Sequence, residues 1–205
     1  MYKRQIEPDL LEPGLIEWVA TQSRAFMPHF HIPLQSGSDA VLRLMARRYD
    51  TALFADRIAA IRSLMPHAFI GVDIIAGARG ETAEEWERSY RFIAGLDVTR
   101  LHVFPYSERP DTAALRLDHA VDQAEKHRRV DALMRLSDSK LAAFAASQLG
   151  QVRPVLWEAS KAGVASGLTD NYLRVHVHGG AELHNTITNA RLLTADGESI
   201  LAQQV

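Results

Sequence analysis

The sequence contains no cysteine among its 205 residues, which excludes three kinds of chemistry from these residues. Disulfide bonds, a thiol nucleophile and an iron–sulfur cluster held by thiolates all require cysteine. No apolar run is long enough to cross a membrane and no signal peptide is evident, so we expect a cytoplasmic protein without a membrane partner. The net charge of −2 also excludes a chain that binds nucleic acid through its overall charge alone.

The remaining composition is that of a globular protein, with 47% hydrophobic and 23% charged residues. The length suits one sizeable domain or one and a half smaller ones. The first five residues, 1–5, have no continuity with Ile6–Pro8, which has the character of the end of a strand. They resemble a translated sequencing-library adapter, so we expect a non-native artefact there and a natural protein that continues upstream of Ile6.

The stretch 69–86 organises the rest of the chain. Its apolar first half predicts a strand buried on both faces, which breaks at Gly77 and Gly80. Thr82 and Glu85 have the spacing of a capping box, so a helix should begin near residue 83. Such a unit binds ligands at the carboxyl end of its strand. Taken alone, however, the two glycines are explained equally well by a tight turn.

Two further strands, 30–35 and 100–104, alternate with helices and predict a parallel sheet that forms part of a β/α barrel. Helices are expected at 10–23, from Ser38 through residue 45, and at 51–65, 83–95 and 121–148. In the last of these, the expected apolar stripe comprises Val130, Leu133, Met134, Leu141, Phe144 and Leu149. The basic run 126–129 is interpreted as a solvated helix face.

Polar residues follow the predicted strands at the edge where such barrels carry their chemistry. They are Gln35, Ser36, Ser38, Arg79, Glu81, Tyr106, Ser107 and Arg109. Structural alternatives remain open: Ser38 is also placed to cap a helix, and Asp73 to bond a neighbouring backbone. His31 and His102 are interpreted as packing residues with hydrogen bonds. The expected convergence of the set on one rim favours a functional site.

Beyond Gly150 the pattern changes to short strands at 152–159, 162–168, 172–178, 186–194 and 199–205, with Gly, Asp and Asn between them. Five short strands predict a small closed barrel, because closure removes exposed sheet edges. Such barrels often bind RNA, and Tyr172 could stack on a base. From residue 148 onward four basic residues stand against five acidic ones, so a protein-docking barrel remains open.

Three motifs occur in the order and spacing of the radical S-adenosylmethionine methylthiotransferases. They are His31-Ile-Pro-Leu-Gln-Ser-Gly-Ser-Asp39, Asp73-Ile-Ile-Ala-Gly-Ala-Arg-Gly-Glu-Thr82 and His102-Val-Phe-Pro-Tyr-Ser-Glu-Arg-Pro-Asp-Thr112. The third most resembles the tRNA threonylcarbamoyladenosine branch, and the final module resembles the TRAM RNA-binding barrel. The resemblance covers nearly everything from Ile6 onward.

The resemblance implies residues for each part of the S-adenosylmethionine site. Those near the ribose are Gln35, Ser36, Gly37 and Ser38; the turn that faces the adenine includes Ile75, Gly77, Gly80 and Glu81; Tyr106 and Ser107 belong to the loop that closes the rim. The expected RNA-binding residues are Arg109, Tyr172 and Arg174, and the partner is the anticodon stem-loop of tRNA. No catalytic residue and no metal ligand is identified in the chain.

Two departures from the family pattern concern loop geometry. The family usually has Phe-Pro at the positions of Ala78-Arg79 and glycine at the position of Asp111. Proline would stiffen the first turn, and glycine adopts a positive φ more readily than aspartate does. The family's cluster-binding cysteines and N-terminal cluster domain would lie upstream of Ile6, so the [4Fe-4S] cofactor would belong to the full-length protein.

We therefore expect an α/β chain: a partial (β/α) barrel of the radical SAM type at 6–147, ending in a long helix, and a five-stranded TRAM/OB-like barrel at 148–205. The expected full-length activity is methylthiolation of N6-threonylcarbamoyladenosine at position 37 of tRNA, with the cysteine-free fragment inactive alone. Isopentenyladenosine or a ribosomal protein are alternative targets. An alternative of another class is an RNA- or ribosome-binding module without a cluster.

Overall fold

The computed structural model describes residues 6–196 and 199–205. The segment 1–5, with its artefact hypothesis, lies outside the described residues. Three parallel strands form one sheet in the order β1 (His29–Gln35), β2 (Phe69–Ala76) and β3 (Arg100–Pro105). The predicted parallel sheet is therefore confirmed. Ile6 donates its backbone N–H to the carbonyl of His31 (3.3 Å).

Five α-helices accompany the strands in the described part of the chain. Their bounds are α1 Pro13–Thr21, α2 Asp39–Leu44, α3 Thr51–Leu64, α4 Ala83–Gly95 and α5 Gln123–Gln148. The helix predicted at 10–23 is shorter because Leu10 and Leu11 bond back to the Glu7 carbonyl in a separate turn. None of the described helices is both long and apolar enough to cross a membrane.

The two faces of the sheet differ in chemistry. One face carries apolar side chains such as Ile32, Val72 and Leu101, which occupy neighbouring positions in the register and are fully buried in the main core. The opposite face carries Asp73 and His102 at the next positions of the same strands. The apolar face explains why the sheet packs against helices, and the polar face lies where the lumen of a β/α barrel would be.

A closed barrel follows α5. Its strands are β4 (Val152–Lys161), β5 (Val164–Thr169), β6 (Arg174–His178), β7 (Ile187–Asp196) and β8 (Ser199–Gln204). They close in the order β4-β5-β6-β8-β7, with only the β6–β8 pair parallel. The predicted five-stranded closed barrel is thus confirmed. Trp157 fills its core and donates its indole N–H to Thr188 Oγ1 (2.8 Å).

Helix α5 contradicts the predicted solvated face at two of its four basic residues. Lys126 and Arg129 are 6% and 3% exposed, whereas His127 and Arg128 face solvent. Lys126, Arg129 and Leu133 follow one another at intervals of three and four residues, so they lie on the same face of the helix. Met134, which the sequence placed in the apolar stripe, is 42% exposed and therefore wrongly assigned.

The closed barrel contacts the sheet at the amino ends of β1 and β2. The Tyr172 ring stacks on His29, with centroids 4.4 Å apart, and meets Phe69 edge-on at 6.0 Å. Asn171 donates its side-chain N–H groups to the His67 carbonyl (2.9 Å) and to Gln148 Oε1 (3.0 Å). The barrel is therefore held at the end of the sheet opposite the predicted rim.

Candidate cofactor-binding rim

The three predicted motif segments meet at the carboxyl edge of the parallel sheet. Gln35 ends β1, Gly77 follows β2, and Tyr106 follows β3. The Tyr106 backbone N–H donates to the Ala76 carbonyl (2.9 Å), which ties the β3 loop directly to the turn after β2. Because carboxyl ends of parallel strands form the ligand edge of α/β sheets, this rim is the candidate site.

The turn after β1 is built on contacts with α4. Gly37 donates its backbone N–H to Ser89 Oγ (2.8 Å), and a side chain at Gly37 would come within 2.6 Å of the Ser89 carbonyl oxygen. Ser36 Oγ is 3.5 Å from Ser89 Oγ. Only glycine therefore fits at position 37 at this separation. Ser89 was not recognised from the sequence, because nothing local links it to a residue 52 positions away.

Ser38 caps α2, as the structural alternative expected. Its Oγ accepts the Val41 backbone N–H (3.3 Å) and also donates to the Glu85 carboxylate. The predicted capping box at α4 is half formed: Thr82 Oγ1 accepts the Glu85 N–H (3.3 Å), but the Glu85 side chain pairs with Ser38 and Arg88 instead of Thr82. Glu85 thus links the first two turns of the rim.

The turn after β2 requires its two glycines. Gly77 and Gly80 have φ values of +76° and +84°, which side chains rarely adopt. A Cβ at Gly77 would lie 2.4 Å from Lys126 Cγ, and one at Gly80 would lie 2.3 Å from Leu44 Cδ1. The tight-turn explanation therefore fits both glycines, and the closest atoms belong to the protein's own side chains. A ligand site at these glycines stays a prediction.

Glu81 is an internal anchor of this turn and is almost fully buried. Its carboxylate accepts the Gly77 N–H (2.7 Å) and pairs with Arg129 Nη1 (2.8 Å). Burial raises the pKa of Glu81 in spite of the hydrogen bonds from Arg129 and Gly77. The buried ion pair therefore stabilises the conformation of the turn, and this contact gives Glu81 a structural role.

The loop after β3 forms the outer side of the rim. Arg79 pairs with Glu108 (2.7 Å) and donates to the Leu117 carbonyl (3.0 Å). Asp111 adopts φ +60°, so aspartate takes the positive φ that glycine would favour at this position. Tyr106 is half-buried, while Ser107 and Arg109 are exposed.

The polar face of the sheet carries a cluster below the rim. His31 Nε2 lies 2.5 Å from Asp73 Oδ1, and the His31 and His102 ring centroids are 4.6 Å apart. Burial and the neighbouring His31 lower the pKa of His102. Asp73 therefore pairs with a side chain of the neighbouring strand, and its bond to a neighbouring backbone stays a prediction. Among the residues of 6–196 and 199–205, no group of three or more His, Asp or Glu could hold a metal ion.

The structure does not bring the three expected RNA-binding residues together. Tyr172 lies at the amino ends of the strands, whereas Arg109 lies beyond their carboxyl ends, a sheet length away. One face of the Tyr172 ring is occupied by His29. Arg174 is exposed on the closed barrel, while Arg153 is committed to Asp170 by two hydrogen bonds of 2.7 and 2.9 Å.

Comparison with known proteins agrees with the motif-based resemblance. The model of the radical SAM superfamily matches residues 6–93. Threonylcarbamoyladenosine tRNA methylthiotransferase of Bacillus subtilis is 35% identical over 195 residues, covering 93% of this chain and 43% of the relative. The tRNA-2-methylthio-N(6)-dimethylallyladenosine synthase of Endomicrobium trichonymphae is 32% identical over 198 residues, covering 97% and 47%.

A solved structure of coproporphyrinogen III oxidase from Escherichia coli, described as a radical SAM enzyme, matches with a TM-score of 0.48 at 18% identity. The match covers 69% of this chain and 32% of that protein. Its TM-score is too low for the match to support an assignment. The chain spans somewhat less than half the length of the curated relatives named above. The sequence relatives match nearly all of it, and the chain belongs to the radical SAM methylthiotransferase family.

Proposed function

We propose that the chain is the C-terminal part of a methylthiotransferase that adds a methylthio group to C2 of N6-threonylcarbamoyladenosine at position 37 of tRNA. The observation that carries the proposal is the convergence of the three motif segments on one rim, with a closed barrel attached at the opposite end of the same sheet. The curated relatives named for tRNA methylthiotransfer support the reaction class.

The residues of the rim fit S-adenosylmethionine. Two glycines at positive φ turn the chain sharply beside the strand ends, and α4 begins directly after them, so that its first N–H groups lie at the rim. In this proposal Gln35 to Ser38, Ile75, Gly77, Gly80, Tyr106 and Ser107 line the cofactor, while Glu81 holds the turn. An iron–sulfur cluster does not fit these residues, because no thiolate is available in the chain. Its ligands would come from residues outside this sequence.

The closed barrel is proposed to be a TRAM-like RNA-binding module at 148–205, after the partial barrel at 6–147. Arg174 and the free face of Tyr172 are the proposed contacts to the tRNA stem-loop, while Arg109 would contact the RNA near the rim. The exposed surface of the barrel supports this proposal, since it includes Arg174 and half of Tyr172. A cytoplasmic location, where tRNA is modified, forms part of the same proposal.

The choice of substrate is tested by nucleoside mass spectrometry of tRNA. A strain that lacks the complete gene should lose the methylthio derivative of threonylcarbamoyladenosine, and the complete gene supplied in trans should restore it. The 32% identity to a dimethylallyladenosine enzyme makes the isopentenyladenosine derivative the second candidate. Loss of that nucleoside instead would establish the second candidate and overturn the first.

The state of the fragment is tested by reconstitution with iron and sulfide. We expect this chain to gain no iron–sulfur absorption band and to have no methylthiotransferase activity alone. The control is the complete protein, treated identically. A band in the fragment would contradict the proposal. A complete gene that encodes no cysteine run and leaves tRNA nucleosides unchanged would favour the cluster-free RNA-binding module.

A further inference from the structure

Lys126 is a cation at the rim, with a buried stem, that the proposed function has not used. Its aliphatic stem lies against Gly77, and its ammonium lies 5.6 Å from the centre of the Tyr106 ring. The side chain therefore bridges from α5 to two of the three rim segments. Only 6% of the residue is exposed to solvent.

The ammonium has no protein partner among the residues that the structure describes. Its Nζ makes no hydrogen bond and no ion pair within 6–196 and 199–205. The two neighbouring carboxylates are taken by arginines: Glu81 pairs with Arg129, and Glu125 pairs with both Arg128 and Arg129. Lys140, the other lysine of α5, is half-buried and differs because it donates to two backbone carbonyls.

The stem of Lys126 is buried, but its ammonium is not among the fully buried side-chain nitrogens that lack a partner, so the charged end reaches the opening at the rim. The contact with the Tyr106 ring stabilises the ammonium at this place, because a cation is attracted to an aromatic face. The three N–H donors of the ammonium meet no oxygen or nitrogen acceptor of the described residues. A ligand that enters at the rim beside Gly77 and Tyr106 would provide them.

We propose that Lys126 is a ligand-binding residue of the rim and donates a hydrogen bond to an acceptor of S-adenosylmethionine. The proposal rests on the cofactor assignment made under the proposed function. Two parts of the cofactor have the required chemistry, namely the carboxylate of its methionine half and the ring nitrogens of its adenine. Both accept hydrogen bonds from an ammonium, and separate probes distinguish them.

The experiment measures binding to the full 205-residue chain by isothermal titration calorimetry. The probes are S-adenosylhomocysteine, which carries both halves, and 5′-methylthioadenosine, which lacks the carboxylate. The variant Lys126→Met keeps the aliphatic stem against Gly77 and removes the charge. We expect it to weaken S-adenosylhomocysteine binding about 10- to 100-fold, because hydrogen bonds to charged groups contribute about 1.5–3 kcal/mol.

Two controls separate binding from folding. Arg128→Met removes an exposed cation two residues away and should leave the affinity unchanged, whereas Lys126→Arg should restore part of it. Circular dichroism and thermal melting establish that each variant is folded. In the unmodified chain, acylation of Lys126 measured by mass spectrometry should slow when S-adenosylhomocysteine is added, while acylation of Lys161 should not. This measurement needs no variant.

Each outcome bears on the proposal. Equal weakening of both probes supports a contact with the adenosyl half, and weakening of S-adenosylhomocysteine alone supports a contact with the carboxylate. If the unmodified chain binds S-adenosylhomocysteine and Lys126→Met binds it equally well, the assignment of Lys126 is overturned while the proposed function stands. If the unmodified chain binds neither probe, the cofactor assignment itself fails for this chain, and Lys126 fails with it.

Discussion

Arg129 and Glu81 form an ion pair beneath the glycine turn, although 48 residues separate them in the sequence. Arg129 Nη1 lies 2.8 Å from Glu81 Oε2 and 2.9 Å from the Glu81 carbonyl oxygen. The guanidinium also lies 5.4 Å from the centre of the Trp86 ring. The long helix α5 is thereby attached to the turn after β2, and the shape of the rim depends on a residue outside all three motifs.

Replacing Arg129 with methionine should destabilise the protein severely. The variant leaves the buried Glu81 carboxylate without its cation, and breaking a buried pair from one side costs about 3–5 kcal/mol. The free energy of unfolding, measured with urea at neutral pH, should fall by that order. Glu81→Gln should cost less, because an amide oxygen can still accept the Gly77 N–H and no charge remains buried.

The matched control for this prediction is Arg128→Met. Arg128 is the neighbouring exposed arginine and also pairs with Glu125 (2.6 Å). Surface ion pairs contribute little, so the variant should unfold at the same urea concentration as the parent chain. Equal losses from the Arg128 and Arg129 variants would refute the structural role of the buried pair.

The elements of the fold were predictable because they leave local patterns in the sequence. The alternation and apolar runs of the strands, the turns at Gly77 and Gly80, and the N-cap residues Ser38 and Thr82 each concern a few consecutive positions. Local backbone preferences are sufficient for such features. The three strands, the closed barrel and the short helix after Ser38 accordingly agree with the structure.

The contacts that complete the site were not predictable in this way. The prediction that 126–129 is a solvated helix face was based on its charge. Lys126 and Arg129, however, precede the buried Leu133 by seven and four residues and therefore share its helix face. This helical spacing was the signal from which their burial could have been predicted. His31 and its partner Asp73 are 42 residues apart in the sequence, and Arg129 and its partner Glu81 are 48 residues apart. Only the tertiary structure brings these pairs together.

The free energy of unfolding should depend on pH because of His29. Burial, with smaller contributions from His31 and His102, lowers the pKa of His29 to about 4. Between pH 6.5 and about pH 4, His29 is therefore protonated in the unfolded chain but neutral in the folded chain. The contribution of His29 to the free energy of unfolding is complete above pH 6.5 and is lost as the pH falls to 4. The loss should be about 1–2 kcal/mol, because partial exposure of the ring reduces the full linkage value.

His29→Phe separates this titration from other acid effects. Phenylalanine can keep the stacking on Tyr172 and has no proton to gain. Urea unfolding of both chains at several values between pH 4 and 7.5 should give a smaller pH dependence for the variant. Parallel curves for the two chains would show that His29 does not titrate as proposed.

Asn171 should be the polar tether between the closed barrel and the sheet. Its side chain is fully buried and donates to His67 and Gln148, so Asn171→Ala leaves two acceptors without their donor. We expect a loss of about 1–3 kcal/mol in unfolding free energy. Amide exchange should also accelerate at 67–69. Gln203→Ala, on the exposed side of β8, is the control and should change neither measurement.

Gly77 and Gly163 allow the crowding at the rim to be measured apart from backbone strain. Both have φ +76°, but a Cβ at Gly163 meets nothing within 4 Å, whereas one at Gly77 would lie 2.4 Å from Lys126 Cγ. Gly163→Ala should therefore cost only the backbone term, about 1–2 kcal/mol. Gly77→Ala should cost about 1–3 kcal/mol more, because Lys126 must move.

A double-mutant cycle identifies Lys126 as the source of the additional cost at Gly77. Lys126→Ala removes Cγ and Cδ, so Gly77→Ala should be less destabilising in that background by about 1–3 kcal/mol, since contacting residues couple. Gly163→Ala should cost the same in both backgrounds, because no part of Lys126 is near it. Additive losses at Gly77 would mean that the Lys126 stem does not lie against the turn. Coupling would place the stem beside Gly77 in solution, which the proposed contact between its ammonium and the cofactor requires.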